Sequence, residues 1–130
     1  METDDRGQSL SALVAAVVFA LLLMTGLVID GGAKSAADRS AEVLAAQAAR
    51  AGTDASAKYR LSGSDGTTVA LTAARQMLAG HPEMDGSVAL DERGWLVVDT
   101  VTSVPTGFLS LIGIRELQGS GHAVAKLQRR

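Results

Sequence analysis

The sequence contains no cysteine, only two prolines and few aromatic residues, which make up 3% of the chain. Without cysteine there is no disulfide framework, no thiol chemistry and no cysteine-ligated zinc site. The basic residues are not gathered into a patch, and the net charge of −2 does not favour binding to nucleic acid. These absences exclude several classes of partner and site before any motif is considered.

Motifs for catalysis and cofactor binding are also missing. No serine lies in a G-x-S-x-G motif, and no glycine-rich loop follows a predicted strand. His81, Glu83 and Asp85 alternate and are metal-ligand types, but without a fourth donor at a telling spacing they favour a solvated loop. The other histidine, His122, alternates with Val124 and Lys126 on the last predicted strand, which favours a surface or half-buried strand position. We predict a protein that is not an enzyme and has no cofactor or metal.

One long uncharged segment dominates the N-terminal part of the chain. Residues 10–29 (LSALVAAVVFALLLMTGLVI) include twelve Leu, Ile, Val or Phe side chains. Twenty helical residues rise about 30 Å, which is the thickness of the hydrocarbon core of a bilayer. At about −0.3 to −0.6 kcal/mol each, the twelve side chains favour insertion by roughly 4 to 7 kcal/mol. The segment predicts a transmembrane anchor, represented by Leu10, Leu13, Val17, Leu21, Leu22 and Ile29.

A cleaved secretory signal is the alternative to a retained anchor. Such signals have a basic N-terminal region and an apolar stretch of about 7 to 15 residues. Here residues 1–9 carry three acids against Arg6 alone, and the apolar run is longer, so a retained anchor is favoured. Lysine and arginine counts do not fix the orientation, but domains longer than about 60 residues translocate largely regardless of charge. We expect a single-pass protein of the cytoplasmic membrane with its C-terminal domain outside.

The helical pattern continues beyond the apolar run. Residues 32–52 are rich in alanine, and side chains recur at spacings of three and four along one stripe, namely Ala33, Ala37, Ala41, Leu44 and Ala48. Small residues let a second element approach closely. Two interpretations remain open. The stripe packs on the protein's own domain, or part of it packs against relatives or copies of the chain, as in self-association through the N-terminal helix.

The remaining residues predict a second helix and a small sheet. Residues 53–66 are polar and rich in turn formers, which indicates a linker or loop after a helix that ends at Gly52, with one more helical turn around Tyr59 left open. Residues 67–79 have the period of a helix. Alternating or β-branched residues predict three antiparallel strands, over residues 87–91, 95–104 and 116–127.

The predicted fold class is α+β, with a long N-terminal transmembrane helix that continues outside the membrane, a second helix and a small antiparallel sheet. Few large apolar side chains are available to the folded part, so its core is marginal on its own. The predicted organisation is a short tail over residues 1–9, a transmembrane helix over 10–29, a helical extension over 30–52 and a small extracytoplasmic domain over 53–130.

A short apolar segment separates the last two predicted strands. Residues 108–114 carry five large apolar side chains between Pro105 and Arg115, and they are too few to cross a bilayer. One interpretation is a lid that folds back on the sheet and supplies missing core. The other is an exposed patch that contacts a partner or a membrane. The candidate contact residues are Phe108, Leu109, Leu111 and Ile112.

Five short motifs follow one another along the chain: RGQS at residues 6–9, DGG at 30–32, AARAG at 48–52, VPTGFLSLIGI at 104–114 and GHAVA at 121–125. In this order and spacing they resemble the TadE/TadG-like family, in its small form from high-GC bacteria. Members of that family are pilin-like components of the tight-adherence (Flp) pilus and related secretion systems.

The resemblance implies a pilin-like fold, an anchoring N-terminal helix, and partners among pilus or secretion-system proteins. Many pilin-like members are cut after a glycine by a prepilin peptidase and carry glutamate at the fifth position of the mature chain. Gly7 is the candidate glycine, but the fifth position is Ala12, and residues 7–29 contain no acid. We therefore expect a permanently anchored, non-catalytic, TadG-like accessory protein. The alternatives are a processed, fibre-forming minor pilin and a membrane-tethered binding module unrelated to pili.

Overall fold

The computed structural model describes residues 5–63 and 65–127. Two helices precede three strands, and a one-turn 3₁₀ helix lies before the last strand. The elements are α1 (Asp5–Arg60), α2 (Thr67–Ala79), β1 (Asp85–Leu90), β2 (Trp95–Pro105), the 3₁₀ helix (Leu109–Ile112) and β3 (Glu116–Lys126). This architecture confirms the predicted α+β class, with a long N-terminal helix, a second helix and a small antiparallel sheet.

Helix α1 is continuous over 56 residues, which corresponds to roughly 84 Å at 1.5 Å per residue. Its apolar first part is exposed, whereas its side from Ala37 to Ser56 is buried against the rest of the chain. Residues 30–52 are therefore not a separate extension, because they supply one wall of the domain's core. The exposed apolar part of α1 and the folded domain share a single helix with no linker between them.

The predicted helix end at Gly52 is wrong, because α1 runs on to Arg60 and the turn comes at residues 61–63. Gly52 is required by packing instead. A Cβ at this position would lie 2.5 Å from Leu96 Cδ2 and 2.9 Å from the carbonyl oxygen of Ala70. Glycine therefore lets both β2 and α2 approach α1 closely, and the helix absorbs the local cost of about 0.5 to 1 kcal/mol relative to alanine.

Strand β2 is the centre of the antiparallel sheet, whose order is β1-β2-β3. A tight turn joins β1 to β2, and in it Asp91 Oδ1 accepts the backbone N–H groups of Arg93 (2.9 Å) and Trp95 (2.8 Å). Gly94 has a φ of 76°, the left-handed conformation that this turn needs. Strand β2 ends at Pro105, which has no N–H to donate to a further ladder bond.

One face of the sheet packs against both helices. Leu96 and Val98 of β2 are fully buried there, and so is Thr100, whose hydroxyl donates a hydrogen bond to the carbonyl oxygen of Ala41 at 2.7 Å. Helix α2 has the predicted range, and it buries the row Ala70, Ala74 and Leu78. The core is thus made largely of small and medium side chains, which depend on close approach between elements.

Glycines of β3 bring the sheet onto the stripe of α1. A Cβ at Gly119 would lie 2.5 Å from the carbonyl carbon of Ala37, and one at Gly121 would lie 2.2 Å from that of Ala41. The strand therefore lies almost directly on the helix backbone. Ala33 is half-buried, and the other predicted stripe residues, Ala37, Ala41, Leu44 and Ala48, are buried. The stripe packs within the chain, as the first interpretation proposed.

Two charged residues of α1 hold the backbone of the edge strand β3. Asp38 Oδ1 accepts the N–H of Ser120 at 3.1 Å, and Lys34 Nζ donates to the carbonyl oxygen of Gln118 at 3.2 Å. The two side chains also form an ion pair at 2.9 Å. The hydrogen bond from Lys34, followed by that from Ser120, lowers the pKa of Asp38. These contacts occupy part of an edge that would otherwise offer free backbone groups to another chain.

Candidate membrane-proximal site

The N-terminal part of α1 presents an uncovered apolar surface. Among the described residues, α1 is the one helix that is long and apolar enough to cross a membrane. Its most apolar stretch of 18 residues has a mean hydropathy of 2.8, and only 6% of that stretch is buried. The predicted anchor side chains keep between 51% and 62% of their surface exposed: Leu10, Leu13, Val17, Leu21, Leu22 and Ile29. This surface is one that an apolar environment would stabilise.

Asp30 follows the apolar run directly and binds the loop between β2 and β3. Its Oδ2 accepts the backbone N–H of Leu109 at 2.7 Å, and its Oδ1 accepts that of Gly107 at 2.8 Å. These hydrogen bonds, that from Leu109 foremost, lower the pKa of Asp30 because they stabilise the carboxylate form. Asp30 is only 1% exposed. The anion is therefore solvated by amides of its own chain.

Phe108 lies between those two amides in sequence, and its ring packs on α1 one helical turn before Asp30. A Cβ at Gly26 would lie 2.4 Å from Phe108 Cγ, so the ring occupies the space that any other residue would fill. Gly26 is buried, although residues 27–29 beside it are exposed. Residues four apart lie on the same side of a helix. Gly26 and Asp30 thus form one docking position for the loop.

The docked loop has an ordered backbone. Thr106 donates its N–H to the carbonyl oxygen of Arg115 at 2.9 Å, which closes the loop at its base. Inside it, the N–H of Ile114 donates to the carbonyl oxygen of Leu109 at 3.0 Å. Gly113 ends the 3₁₀ helix in the left-handed region, with a φ of 93°. The loop therefore presents its side chains from a defined conformation.

The loop does not cover the sheet, so the interpretation as a lid that supplies core is wrong. Leu111 and Ile112 are 82% and 72% exposed, and Phe108 and Ile114 are also exposed. The loop docks on α1 instead of on the sheet. Both carboxylate oxygens of Asp30 accept hydrogen bonds from loop amides, and Gly26 leaves room for the Phe108 ring. The four candidate contact residues, Phe108, Leu109, Leu111 and Ile112, lie together in this loop. What they contact remains a prediction.

Each of the two histidines pairs with one carboxylate. His81 Nδ1 lies 3.0 Å from Glu83 Oε1, and His122 Nδ1 lies 2.6 Å from Asp99 Oδ1 on the neighbouring strand. The pKa of Glu83 is lowered by its own backbone N–H and then by His81. Within residues 5–63 and 65–127, no three His, Asp or Glu side chains are grouped to hold a metal ion. The alternation of His81, Glu83 and Asp85 thus yields a pair and no ligand set.

Comparisons with family models, with curated proteins and with solved structures found no match. Function is therefore inferred from the residues and geometry of this chain. Gly7, the candidate processing position, lies near the start of α1.

Asp30 and Gly26 are site residues that sequence reasoning did not single out. Asp30 is visible only as part of the DGG motif, and Gly26 only as a small residue within an apolar run. The hydrogen bonds of Asp30 join residues 77 and 79 positions apart, a distance that helix and strand periods do not reveal. The available signal was an acid placed at the end of an apolar run, because such a charge needs partners there.

Proposed function

We propose that this chain is a single-pass protein of the cytoplasmic membrane, anchored by residues 10–29, with its folded domain on the extracytoplasmic face. One observation carries this proposal. A single helix is uncovered and apolar over its first part and buried under α2 and the sheet over its second part. A bilayer stabilises the first part, and the domain stabilises the second.

Within that arrangement, the protein acts as a non-catalytic, TadG-like accessory component of a tight-adherence pilus or a related secretion system. The resemblance of five motifs supports this role. Two of those motifs are also in contact, because Asp30 of DGG accepts hydrogen bonds from the loop of VPTGFLSLIGI. A further motif, GHAVA, places Gly121 against α1. Motif residues distant in sequence thus build one structural unit.

A permanently anchored role is favoured over a processed fibre subunit. A subunit cut after Gly7 would carry Ala12 in place of the glutamate that pilin-like proteins have at this position. An ionisable residue inside a membrane is costly and usually serves a function. Residues 7–29 carry none.

Membrane extraction tests the anchor. Replacing both Leu21 and Leu22 with Arg changes the insertion free energy by about 6 to 8 kcal/mol, as much as the whole apolar run provides. We expect wild-type protein to resist carbonate extraction and the double variant to be released. Leu61→Arg is the matched control, because Leu61 is 92% exposed at the far end of α1, and it should stay with the membrane. Wild-type protein recovered in the soluble fraction, lacking residues 1–29, would contradict a retained anchor.

Intact mass and gene deletion test the role. The mass should be unchanged between strains with and without the prepilin peptidase, and a peptidase-dependent loss of residues 1–7 would move the protein to the fibre-subunit class. Deletion of the gene should abolish pilus- or secretion-dependent surface adherence, with rescue by the wild-type gene. Normal pili and adherence in the deletion strain would favour a membrane-tethered binding module unrelated to pili.

A further inference from the structure

We propose that the loop of residues 107–114 is a second membrane contact, which inserts its apolar side chains into the leaflet facing the domain and is held at that depth by Asp30. This inference rests on the proposed function, because it requires that residues 10–29 span the bilayer. The occupant of the exposed loop surface is thus lipid.

The position of the loop along α1 sets its depth. The Phe108 ring contacts the helix at Gly26, which lies three residues before the end of the apolar run, about 4.5 Å along the axis. The amides of Gly107 and Leu109 bind at Asp30, one residue after that end. When residues 10–29 fill the hydrocarbon core, the loop therefore lies across its boundary.

The exposed side chains have the composition of an interfacial segment. Leu111 and Ile112 project from a single 3₁₀ turn, and at about 2 Å per residue they remain within several ångströms of the docked Phe108. Interfacial segments bury their apolar side about 5 to 10 Å into the boundary between headgroups and acyl chains. Arg115, exposed where the loop ends, suits the level of the phosphate groups. The loop thus extends the apolar surface of α1 to one side of the helix.

The backbone of the loop is prepared for a medium without water. Irregular backbone at membrane depth requires that its polar groups be paired. Gly107 and Leu109 donate their N–H groups to Asp30, and those of Leu111, Gly113 and Ile114 donate to carbonyl oxygens of the loop itself. The two hydrogen bonds to Asp30 have two effects. They pair two backbone N–H groups of the loop, and they stabilise a charged carboxylate close to the hydrocarbon.

Depth-dependent quenching tests the contact on the full chain, and the absence of cysteine makes single-site labelling clean. An environment-sensitive fluorophore is attached at Leu111→Cys, in protein reconstituted into phosphatidylcholine–phosphatidylglycerol vesicles. The lipids carry nitroxides near the headgroup or near the end of the acyl chain. Leu61→Cys is the control of matched exposure, far from Asp30. Val18→Cys reports on the middle of the span.

We expect the label at position 111 to be shifted to the blue and quenched by the shallow nitroxide, the label at 18 to be quenched by the deep nitroxide, and the label at 61 to be affected by neither. Quenching at 18 without quenching at 111 overturns the loop contact and leaves the anchor intact. No quenching at 18 overturns the proposed span itself. A blue shift at 111 that lacks lipid quenching and disappears on dilution with empty vesicles would assign the surface to a second copy, and it also overturns the proposal.

The role of Asp30 is tested with the label at position 111 in place. Asp30→Ala removes both acceptors of the loop amides, so we expect weaker shallow quenching and a red shift of emission. Asp38→Ala is the matched control, since it removes a carboxylate that also accepts a backbone N–H on the same helix, but from Ser120 of β3. Equal quenching in the two variants would overturn the positioning role of Asp30.

Discussion

Replacement of Gly121 by alanine probes the close contact between β3 and α1. A Cβ at Gly121 would lie 2.2 Å from the carbonyl carbon and 2.3 Å from the carbonyl oxygen of Ala41, whereas ordinary contacts begin at 3.4 Å. Helix α1 and strand β3 would have to separate by about 1 Å, because both clashing groups are backbone. No rotamer change can relieve the overlap.

The loss of folding stability in Gly121→Ala has two parts. Overpacking of a close-packed interface costs about 1 to 3 kcal/mol. Separation also strains the bond from the Thr100 hydroxyl to the carbonyl oxygen of Ala41, 2.7 Å long and fully buried, and the loss of such a bond costs about 1 kcal/mol. We expect Gly121→Ala to lower the free energy of unfolding by about 2 to 4 kcal/mol. For a domain of this size that lowers Tm by at least about 8 °C.

Thermal unfolding of the full chain in detergent micelles measures this effect, followed by the fluorescence of Trp95, the only tryptophan. Gly32→Ala is the matched control, because a Cβ at Gly32 meets nothing within 4 Å. In that helical position alanine should raise stability by about 0.5 to 1 kcal/mol. The two Gly→Ala changes are thus expected to have opposite signs. Equal melting temperatures would refute the close approach of β3 to α1.

Two further perturbations test the core and the edge strand. Leu96→Ala should lower the free energy of unfolding by about 2 to 5 kcal/mol, because Leu96 is fully buried. In the same denaturant titration, the control Leu61→Ala should change it by less than about 0.5 kcal/mol. Similar unfolding midpoints for the two variants would contradict the position of Leu96 in the core. Asp38 has a lowered pKa in the folded state, so its contribution to stability is present above the ordinary value of 3.8 and is lost as pH falls through the lower folded pKa. The NMR amide resonance of Ser120 should therefore titrate with a midpoint below 3.8, and a midpoint above 3.8 would contradict the hydrogen bond.

Elements with a local signal were predictable from the sequence. Helix α2 and the three strands follow from periods that each segment carries by itself, so their ranges agree closely with the structure. The stripe at spacings of three and four located the buried side of α1 in the same way. Its partner remained open, because small residues permit close approach by any element.

Rules that assign helix ends and turns from the local sequence failed at glycine, because this residue type serves several purposes. Gly94 adopts the left-handed conformation of a turn, and the local sequence pattern indicates that turn. Gly52 stands inside a helix, where Leu96 and Ala70 leave no room for a Cβ. A rule that ends helices at glycine therefore placed the boundary eight residues early. The docking of the loop on Asp30 escaped prediction for a related reason, since it depends on where two distant segments meet.

The continuity of α1 determines what a protein with this fold can offer a partner. A domain joined to a membrane anchor by a flexible linker samples many orientations, whereas here the helix that we propose spans the membrane is also a wall of the core. In the proposed arrangement the loop bound to Asp30 adds a second attachment on one side of α1, and two attachments restrict both tilt and rotation about the helix axis. The outer face of the sheet, with the pair of Asp99 and His122, would then point in a fixed direction relative to the bilayer. A pre-oriented face loses less rotational freedom on binding, so an assembly in the same membrane could engage it with few contacts.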